Sequence, residues 1–373
     1  MRDDRPTTDP LVQPPTARRG PGRRACCGGL ASLIAVARAH AATPNAAAPP
    51  PEPFPDRVRL LVAGPRGGRM DRWAGAIGLA LSHALPPGTT LHPTLAGGAD
   101  GVTAANQFEA RVAPDGQTVL LLPGEAPLAW LTGDPRARFD AASWLPVLTG
   151  LTPGVLASRV PLGALRPGSR LRVAASDPAG PELAALLGLE LMGVAPAPAF
   201  GLHDSAAALK ALRNDVVEAV FVTGSDARAR LAEAASAGAA PLFTLGVPAE
   251  SGMRRDPLLP AIPTAPELAA GLRDALPAGT QTTDALAAAW RSAAAATQIE
   301  FAMVLPRLTP AALVAQWRRA GAEASQALRP RAPSVRLLCA LEANAATAAV
   351  AAGPAAMLEL RRWLAERFNW SPS

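Results

Sequence analysis

Hydrophobic and polar positions fall along the chain in blocks of two kinds. Short apolar runs bounded by glycine or proline predict buried strands, and longer stretches with apolar residues three or four positions apart predict amphipathic helices. Residues 58–63 predict a strand, and 70–84 predict a helix with Trp73, Ile77 and Leu81 on one face. Because strand, glycine turn and helix follow each other, the pattern predicts an α/β fold with a largely parallel sheet.

The alternation continues and then restarts, which indicates two α/β units. Further strands are predicted at 89–93, 118–122, 171–175, 216–222 and 241–247, and further helices begin near 102, 181, 205 and 226. The C-terminal part is helical. Thr309 is a good N-cap before Pro310, and helices are predicted to about 328, over 335–341 and over 357–368.

Positive charge is concentrated at the N-terminus. The chain has 373 residues and a net charge of +6. Residues 1–41 hold seven arginines and three aspartates, which is +4, so the remaining residues carry only +2. Arginines, a short apolar run at 30–37 and Ala39-His40-Ala41 predict an export signal over 1–42, by the Sec or the twin-arginine route, and hence a periplasmic protein. The alternative is a disordered tail. Residues 43–55 form a Pro/Ala linker, and no basic stripe predicts a nucleic-acid partner.

The common catalytic and cofactor motifs do not occur in the sequence. There is no phosphate-binding loop with lysine, no dinucleotide-binding glycine motif, no nucleophile elbow and no zinc-protease helix. The histidines after the leader are isolated, so no metal site is predicted, and nothing indicates a cofactor or an enzyme. Cys339, the only cysteine beyond the leader, is interpreted as a buried structural thiol in the helix predicted over 335–341.

Two glycine-rich loops, at 64–71 and 96–101, are the positive features. Each follows a predicted strand and opens a predicted helix. Glycine lets the backbone approach a ligand, and the free N–H groups of a helix start attract a carboxylate or phosphate. The same signal is typical of purely structural turns, so both interpretations stay open at this point.

The order of several segments resembles a known family. The first loop has two glycines and an aspartate at 67, 68 and 71, and the second reads A-G-G-A-D-G. A-P-D-G-Q-T at 113–118 and D-P-L-L-P-A-I-P-T at 256–264 are the most specific segments. Over about 54–368 the chain resembles the Bug-type (TctC-like) extracytoplasmic solute receptors of tripartite tricarboxylate transporters.

The resemblance implies a two-domain, periplasmic-binding-protein-like (Venus flytrap) architecture. Residues 56–157 with 296–373 would form domain 1, and 158–295 would form domain 2, with crossings near 156–160 and 285–300. Such a receptor captures a small di-, tri- or aromatic carboxylate by hinge closure and delivers it to membrane transporter subunits. The chain is accordingly expected to act as a monomer.

The family's binding loops transfer to fourteen positions of this sequence. The ligand-binding candidates are Gly67, Gly68, Arg69, Met70, Asp71, Gly97, Gly98, Ala99, Asp100, Gly101, Ser176, Asp177, Thr223 and Ser225.

The third loop departs from the family pattern, because it reads S-D-P-A-G at 176–180. Asp177 would repel a carboxylate unless a cation such as Arg66 or Arg69 pairs with it. These arginines themselves allow two interpretations, a carboxylate clamp or solvent-facing loop residues. The altered loop also leaves room for a degenerate receptor that acts as a sensor or protein-interaction partner. A secreted α/β enzyme is the third alternative.

Overall fold

The computed structural model describes residues 53–249, 252–272 and 283–371, and these residues build two separate main sheets. The predicted export signal and most of the predicted linker lie outside the described residues. Phe54, near the end of that linker, has its ring 5.3 Å from the ring of Trp317. The last linker residues therefore contact the core.

The described residues contain thirteen strands. In chain order they are β1 (Arg57–Val62), β2 (Thr90–Leu95), β3 (Thr118–Leu122), β4 (Leu145–Leu151), β5 (Val155–Ser158), β6 (Arg170–Ala174), β7 (Ala195–Ala199), β8 (Ala219–Val222), β9 (Ala240–Thr244), β10 (Val247–Ala249), β11 (Gly252–Arg254), β12 (Ile299–Leu305) and β13 (Arg336–Cys339).

The same part of the chain contains eleven α-helices. They are α1 (Arg69–Ala84), α2 (Val102–Arg111), α3 (Glu125–Thr132), α4 (Leu183–Leu191), α5 (Ser205–Arg213), α6 (Ala227–Ser236), α7 (Ala265–Leu272), α8 (Asp284–Thr297), α9 (Ala311–Leu328), α10 (Ala340–Val350) and α11 (Pro354–Phe368).

The first sheet has six strands in the order β13-β4-β12-β3-β1-β2. Its central strands β3 and β12 are buried along their whole length, which explains why their sequences are apolar except for Thr118 and Glu300. The edge strand β2 is mostly exposed and carries His92 and Pro93, and an edge is where a proline is tolerated. Strand β1 pairs in parallel with β2 and β3, whereas β4, β12 and β13 pair antiparallel.

The second sheet has five strands in the order β7-β6-β8-β5-β9, and β10 and β11 form a separate hairpin. Parallel pairing joins β6 to β7 and β8, and antiparallel pairing joins β5 to β8 and β9. The α/β fold class is thus confirmed, but both sheets are mixed rather than largely parallel. In the first sheet β12 and β13 run against the other four strands, and in the second sheet β5 runs against the other four.

The chain passes between the sheets twice. Residues 152–154 join β4 to β5, so the first crossing lies before the predicted 156–160, which belongs mostly to β5. The return runs through α8 into β12. The Thr152 amide donates to the carbonyl of Gln298 over 2.9 Å, which holds the two crossings together. The buried Trp290 of α8 also donates to the carbonyl of Ala184 in α4 over 3.0 Å.

The helix predicted over 335–341 is wrong. Residues 336–339 form β13, which pairs antiparallel with β4 at the sheet edge, and α10 begins only at Ala340. A run of four residues is too short to be assigned to helix or strand by its periodicity. In this protein the run becomes a strand because it pairs with the free edge of β4. Cys339 therefore ends a strand and is half-buried rather than fully buried.

Candidate functional site

A cavity of about 730 Å³ lies between the two sheets. The carboxyl ends of β3, β6 and β8 face it, as is usual for ligand clefts in α/β proteins. Both inter-sheet crossings also reach it, through Thr152 from one side and Thr297 from the other. Each sheet therefore supplies one wall of the cavity, and the connections supply its base.

Five helices begin at this cavity. The lining includes the first residue of α1, Arg69, and the first residue of α3, Glu125. It also includes the N-cap residues of α4, α5 and α6, which are Glu182, Asp204 and Asp226. Helix starts carry free N–H groups and the positive end of the helix dipole, so their convergence makes the backbone of this cavity attractive to anions.

Arg69 and Glu125 form an ion pair at the cavity wall of the first sheet. Arg69 Nη2 lies 2.7 Å from both carboxylate oxygens of Glu125, and both side chains are more than one third exposed. Burial alone would lower the pKa of Arg69, but the charges of Glu125 and Glu300 outweigh it and raise the pKa. Arg69 thus stays charged in the cavity, although its strongest partner is already a protein carboxylate.

Glu300 lies deeper in the same wall. The residue is only 5% exposed, and its Oε1 accepts a hydrogen bond of 3.0 Å from the indole N–H of Trp73. The Trp73 ring in turn contacts Phe301, with ring centroids 4.6 Å apart. The first wall therefore presents two arginines, Arg69 and Arg72, and two carboxylates around a fixed indole.

The second sheet contributes another carboxylate, that of Glu182. Its Oε2 accepts hydrogen bonds from the Ser176 hydroxyl at 2.7 Å and from the Ser176 amide at 3.2 Å. Burial raises the pKa of Glu182 above its usual value and the neighbouring Asp177 adds to this, while the hydrogen bonds from Ser176 oppose it. Ser176 itself does not line the cavity, so it acts on the site only by orienting Glu182.

The turn from β8 to α6 brings hydroxyl groups to the cavity. Thr223 and Ser225 line it, and the Thr223 hydroxyl oxygen is buried without a hydrogen-bond partner among the described residues. The same holds for the hydroxyl oxygen of Thr297 at the base. Arg230 lies beside them and pairs with Asp226 at 2.7 Å. Buried hydroxyls without a partner are uncommon in folded proteins, so these two are candidates for contact with a ligand.

Of the first predicted loop, only Arg69 reaches the cavity. Met70 is 3% exposed and packs into the core. Asp71 accepts a hydrogen bond of 2.7 Å from the amide of Gly67, and Gly68 is the N-cap of α1. These residues shape the turn that starts α1, and Arg69 is the one that the turn points into the cavity.

The second predicted loop lies away from the cavity, since none of residues 97–101 lines it. Gly97, through its carbonyl, accepts the amide hydrogen of Gly64. Asp100 accepts from the Val102 amide and forms an ion pair of 2.9 Å with Arg136. Gly98 and Ala99 complete the turn, and Gly101 is the left-handed N-cap of α2. The loop satisfies its own polar groups.

The third predicted loop is also outside the lining, whereas Thr223 and Ser225 are in it. Asp177 accepts a hydrogen bond from the Ala179 amide at 2.9 Å. Among the described residues no ion pair joins Asp177 to Arg66 or Arg69, the two cations that could have offset its charge, and Arg69 pairs with Glu125 instead. The cavity therefore does not meet the charge of Asp177 directly.

Sequence reasoning missed the carboxylates of the cavity. Glu125 follows strand β3 and the turn Pro123-Gly124, which has the same strand-glycine-helix form as the two predicted binding loops. That signal was present in the sequence. Glu300 carries no such signal, because it sits in an otherwise apolar strand and its role depends on the indole of Trp73, which is 227 positions away.

The described residues show neither a metal cluster nor a membrane-spanning helix. Within the residues that the structure describes, no three His, Cys, Asp or Glu side chains come together to hold a metal ion. Among the helices of that same part, none combines the length and apolar character that a membrane crossing needs.

A scan against protein-family models gives no match, and a search of curated proteins gives no significant similarity. Solved structures do match. A TctC solute-binding protein from Polaromonas, without ligand, is 18% identical with a TM-score of 0.58, covering 85% of this chain and 99% of that one. MatC from Rhodopseudomonas palustris with bound malate is 21% identical, with a TM-score of 0.45 and coverage of 84% and 99%. A second protein of that organism, with adipate, is 19% identical with a TM-score of 0.46, and the match covers 84% of this chain and 98% of that one.

The Polaromonas match establishes the architecture. This chain has the two-sheet fold of a TctC-type solute-binding protein, and the resemblance to Bug-type receptors is confirmed at the level of the fold.

Proposed function

We propose that this chain is a periplasmic solute-binding receptor that captures a small carboxylate between its two sheets and delivers it to a membrane transporter. The observation that carries the proposal is the convergence of five helix starts on one cavity. Backbone N–H groups at helix starts bind carboxylates without a charged side chain. The volume of about 730 Å³ is within the usual range for small-molecule sites.

The two sheets would act as the two lobes of a receptor that closes over its ligand. Residues 152–154 and the end of α8 join the lobes and lie at the base of the cavity, where a hinge would have to be. The alternative of a degenerate receptor predicts a filled cleft, and the open cavity favours the solute receptor over it. We expect binding without turnover, because the sequence carries none of the common catalytic motifs.

A thermal-shift screen of the full chain tests the proposal. The panel contains small mono-, di-, tri- and aromatic carboxylates, with and without amino groups. We expect at least one compound to raise the melting temperature in a concentration-dependent manner, because a ligand that binds only the folded state stabilises it. No shift with any compound up to millimolar concentration would overturn the proposal.

A matched pair of variants then places the ligand in the cavity. Thr223→Val and Thr149→Val each remove a buried hydroxyl that has no partner in the described part of the chain. Only Thr223 lines the cavity. We expect Thr223→Val to weaken binding about fivefold to tenfold, as for one lost hydrogen bond, and Thr149→Val to leave it unchanged. Equal effects would exclude this cavity as the site.

A further inference from the structure

Helix α11, the last element of the described chain, contacts both lobes. Near its middle, the guanidinium of Arg361 donates to the carbonyls of Leu131 and Trp130 over 3.3 and 3.4 Å, and both residues belong to α3 beside the first sheet. At its carboxyl end, Arg367 forms an ion pair with Glu190 of α4, which connects β6 to β7 in the second sheet. Helix α11 thus joins the lobes although neither inter-sheet crossing runs through it.

Aromatic rings extend this contact. The ring of Phe368 lies 5.1 Å from that of Trp363 and 5.5 Å from that of Phe200, which follows β7, and both pairs meet edge to face. Trp363 is buried, whereas Phe200 is 42% exposed. The contact with the second lobe therefore lies at the surface, where it can separate without opening the core.

Two buried polar groups in the same cluster lack a hydrogen-bond partner. Glu190 uses Oε1 for Arg367, but its Oε2 accepts from no group among the described residues, and the indole N–H of Trp363 donates to none of them. Trp363 and Arg367 are four residues apart, so they project from the same face of α11. A donor and an acceptor that are buried unpaired are costly, and each would satisfy the other if Glu190 moved along this face.

Helix α4 connects this cluster to the cavity. Glu182, the N-cap of α4, lines the cavity, and Glu190 lies eight residues further on, about 12 Å along the helix axis. Ala184, near the start of α4, accepts the indole hydrogen bond of Trp290 in α8. That bond holds the start of α4 to the return crossing. A rotation of α4 that narrows the cavity would therefore displace its far end most, where Glu190 lies.

On the basis of the proposed function, we propose that α11 is a latch that sets the balance between an open and a closed receptor. In the open state, which has the cavity described above, Arg367 holds Glu190 and Phe368 holds Phe200. When the second lobe closes over a bound solute, Glu190 leaves Arg367, and its carboxylate accepts the indole N–H of Trp363. None of these residues lines the cavity, so they change the affinity only through the balance between the two states.

Calorimetry on the full chain tests the latch. The probe is the carboxylate with the largest thermal shift in a panel that includes succinate, malate, adipate, citrate and benzoate. Arg367→Gln removes an ion pair that only the open state has, so we expect it to tighten binding of the probe about threefold, as for one partly exposed ion pair. Arg362→Gln is the matched control. Because Arg362 pairs at 2.6 Å with Glu359 of the same helix, this variant should leave the affinity unchanged.

A second variant acts in the opposite direction. Trp363→Phe keeps a ring beside Phe368 and removes the N–H group that the closed state uses. We expect it to weaken binding of the probe about fivefold, as for one lost hydrogen bond. Trp144→Phe is its control, because the Trp144 indole donates to Glu109 over 3.1 Å beside the first sheet, outside the cavity. The affinity of this control should not change.

Opposite shifts by the two variants support the latch, because a merely structural contact would move the affinity in the same direction for both. If Arg367→Gln matches its control or weakens binding, the latch is overturned and the proposed function stands. If a folded Trp363→Phe protein matches Trp144→Phe, the change of partner by Glu190 is overturned. The arginine pair decides by itself if Trp363→Phe does not fold. If no carboxylate of the panel binds, the proposed function fails and the latch fails with it.

Discussion

Two turns of the first sheet have the same sequence form and different positions relative to the cavity. Residues 96–101 link β2 to α2, and residues 123–124 link β3 to α3. Both follow a strand, contain glycine and open a helix. Only the second lines the cavity, through Gly124 and Glu125.

The strand order explains the difference. Strand β2 is the edge of the sheet, so its turn lies two strands further from β12 than the turn after β3. Strand β3 is central and pairs with β12, where the chain returns from the second sheet, and the Gly124 amide donates to the carbonyl of Ile299 at 3.1 Å. A glycine turn therefore becomes part of a cleft through its place in the sheet.

The largest expected effect is a loss of stability, and it distinguishes the two turns by how tightly their glycines are packed. A Cβ at Gly124 would lie 2.1 Å from the carbonyl oxygen of Ala296, whereas a Cβ at Gly97 meets nothing within 4 Å. We expect Gly124→Ala to lower the free energy of unfolding by about 3 kcal/mol through overpacking. Gly97→Ala should cost about 1 kcal/mol, because Gly97 has φ +61°. Urea denaturation measures both, and equal losses would contradict the contrast.

The next largest effect is on ligand affinity, and it is tested at the arginine beside each of the two turns. Arg69 pairs with Glu125 in the cavity, and Arg136 pairs with Asp100 at the outer turn. We expect Arg69→Gln to change the affinity for the best ligand of the screen about tenfold, since it alters the charge inside the cavity. Arg136→Gln should stay within about twofold, because an exposed pair contributes little. Calorimetry decides, and a clear effect of Arg136→Gln on affinity would place the outer turn in the binding site after all.

The smallest expected effect is on how stability changes with pH. It compares two carboxylates at the starts of helices beside the second sheet, Glu182 at α4 and Glu267 at α7. Glu182 faces the cavity, and burial raises its pKa above the ordinary 4.5. Glu267 lies outside the cavity. Burial acts against its ionisation, but hydrogen bonds from Thr264 and Arg255 prevail and lower its pKa. The two carboxylates should therefore affect the free energy of unfolding with opposite signs as the pH changes.

A raised carboxyl pKa means that the folded state holds its proton more tightly, so this stability is lost as the pH rises above 4.5. We expect Glu182→Gln to stabilise the protein at pH 7, with a gain that shrinks towards pH 4. A lowered pKa has the reverse effect, and Glu267→Gln should destabilise at pH 7 by less than about 1 kcal/mol. Urea denaturation between pH 4 and pH 7 measures both. If both variants changed the free energy of unfolding in the same direction at pH 7, the causes given for the two pKa shifts would be contradicted.

Much of the fold followed from local patterns. The strand at Arg57–Val62, the helix at Arg69–Ala84 and the alternation that restarts near Arg170 were predictable, because each element buries a long apolar face. The strand β13 was not, since its four residues become a strand only by pairing with β4. Of the predicted site, Arg69, Thr223 and Ser225 lie at the cavity.

By itself the sequence determined the α/β alternation, the glycine turns at strand ends and the near-neutral charge of the chain beyond residue 41. These features depend on composition and on neighbouring residues. The tertiary structure decided which turns meet and what charge they enclose. Glu300 lies near Trp73 and Arg69 because β12 pairs with β3 in the first sheet. The order of strands in a sheet depends on pairing between distant segments, and no local pattern encodes it.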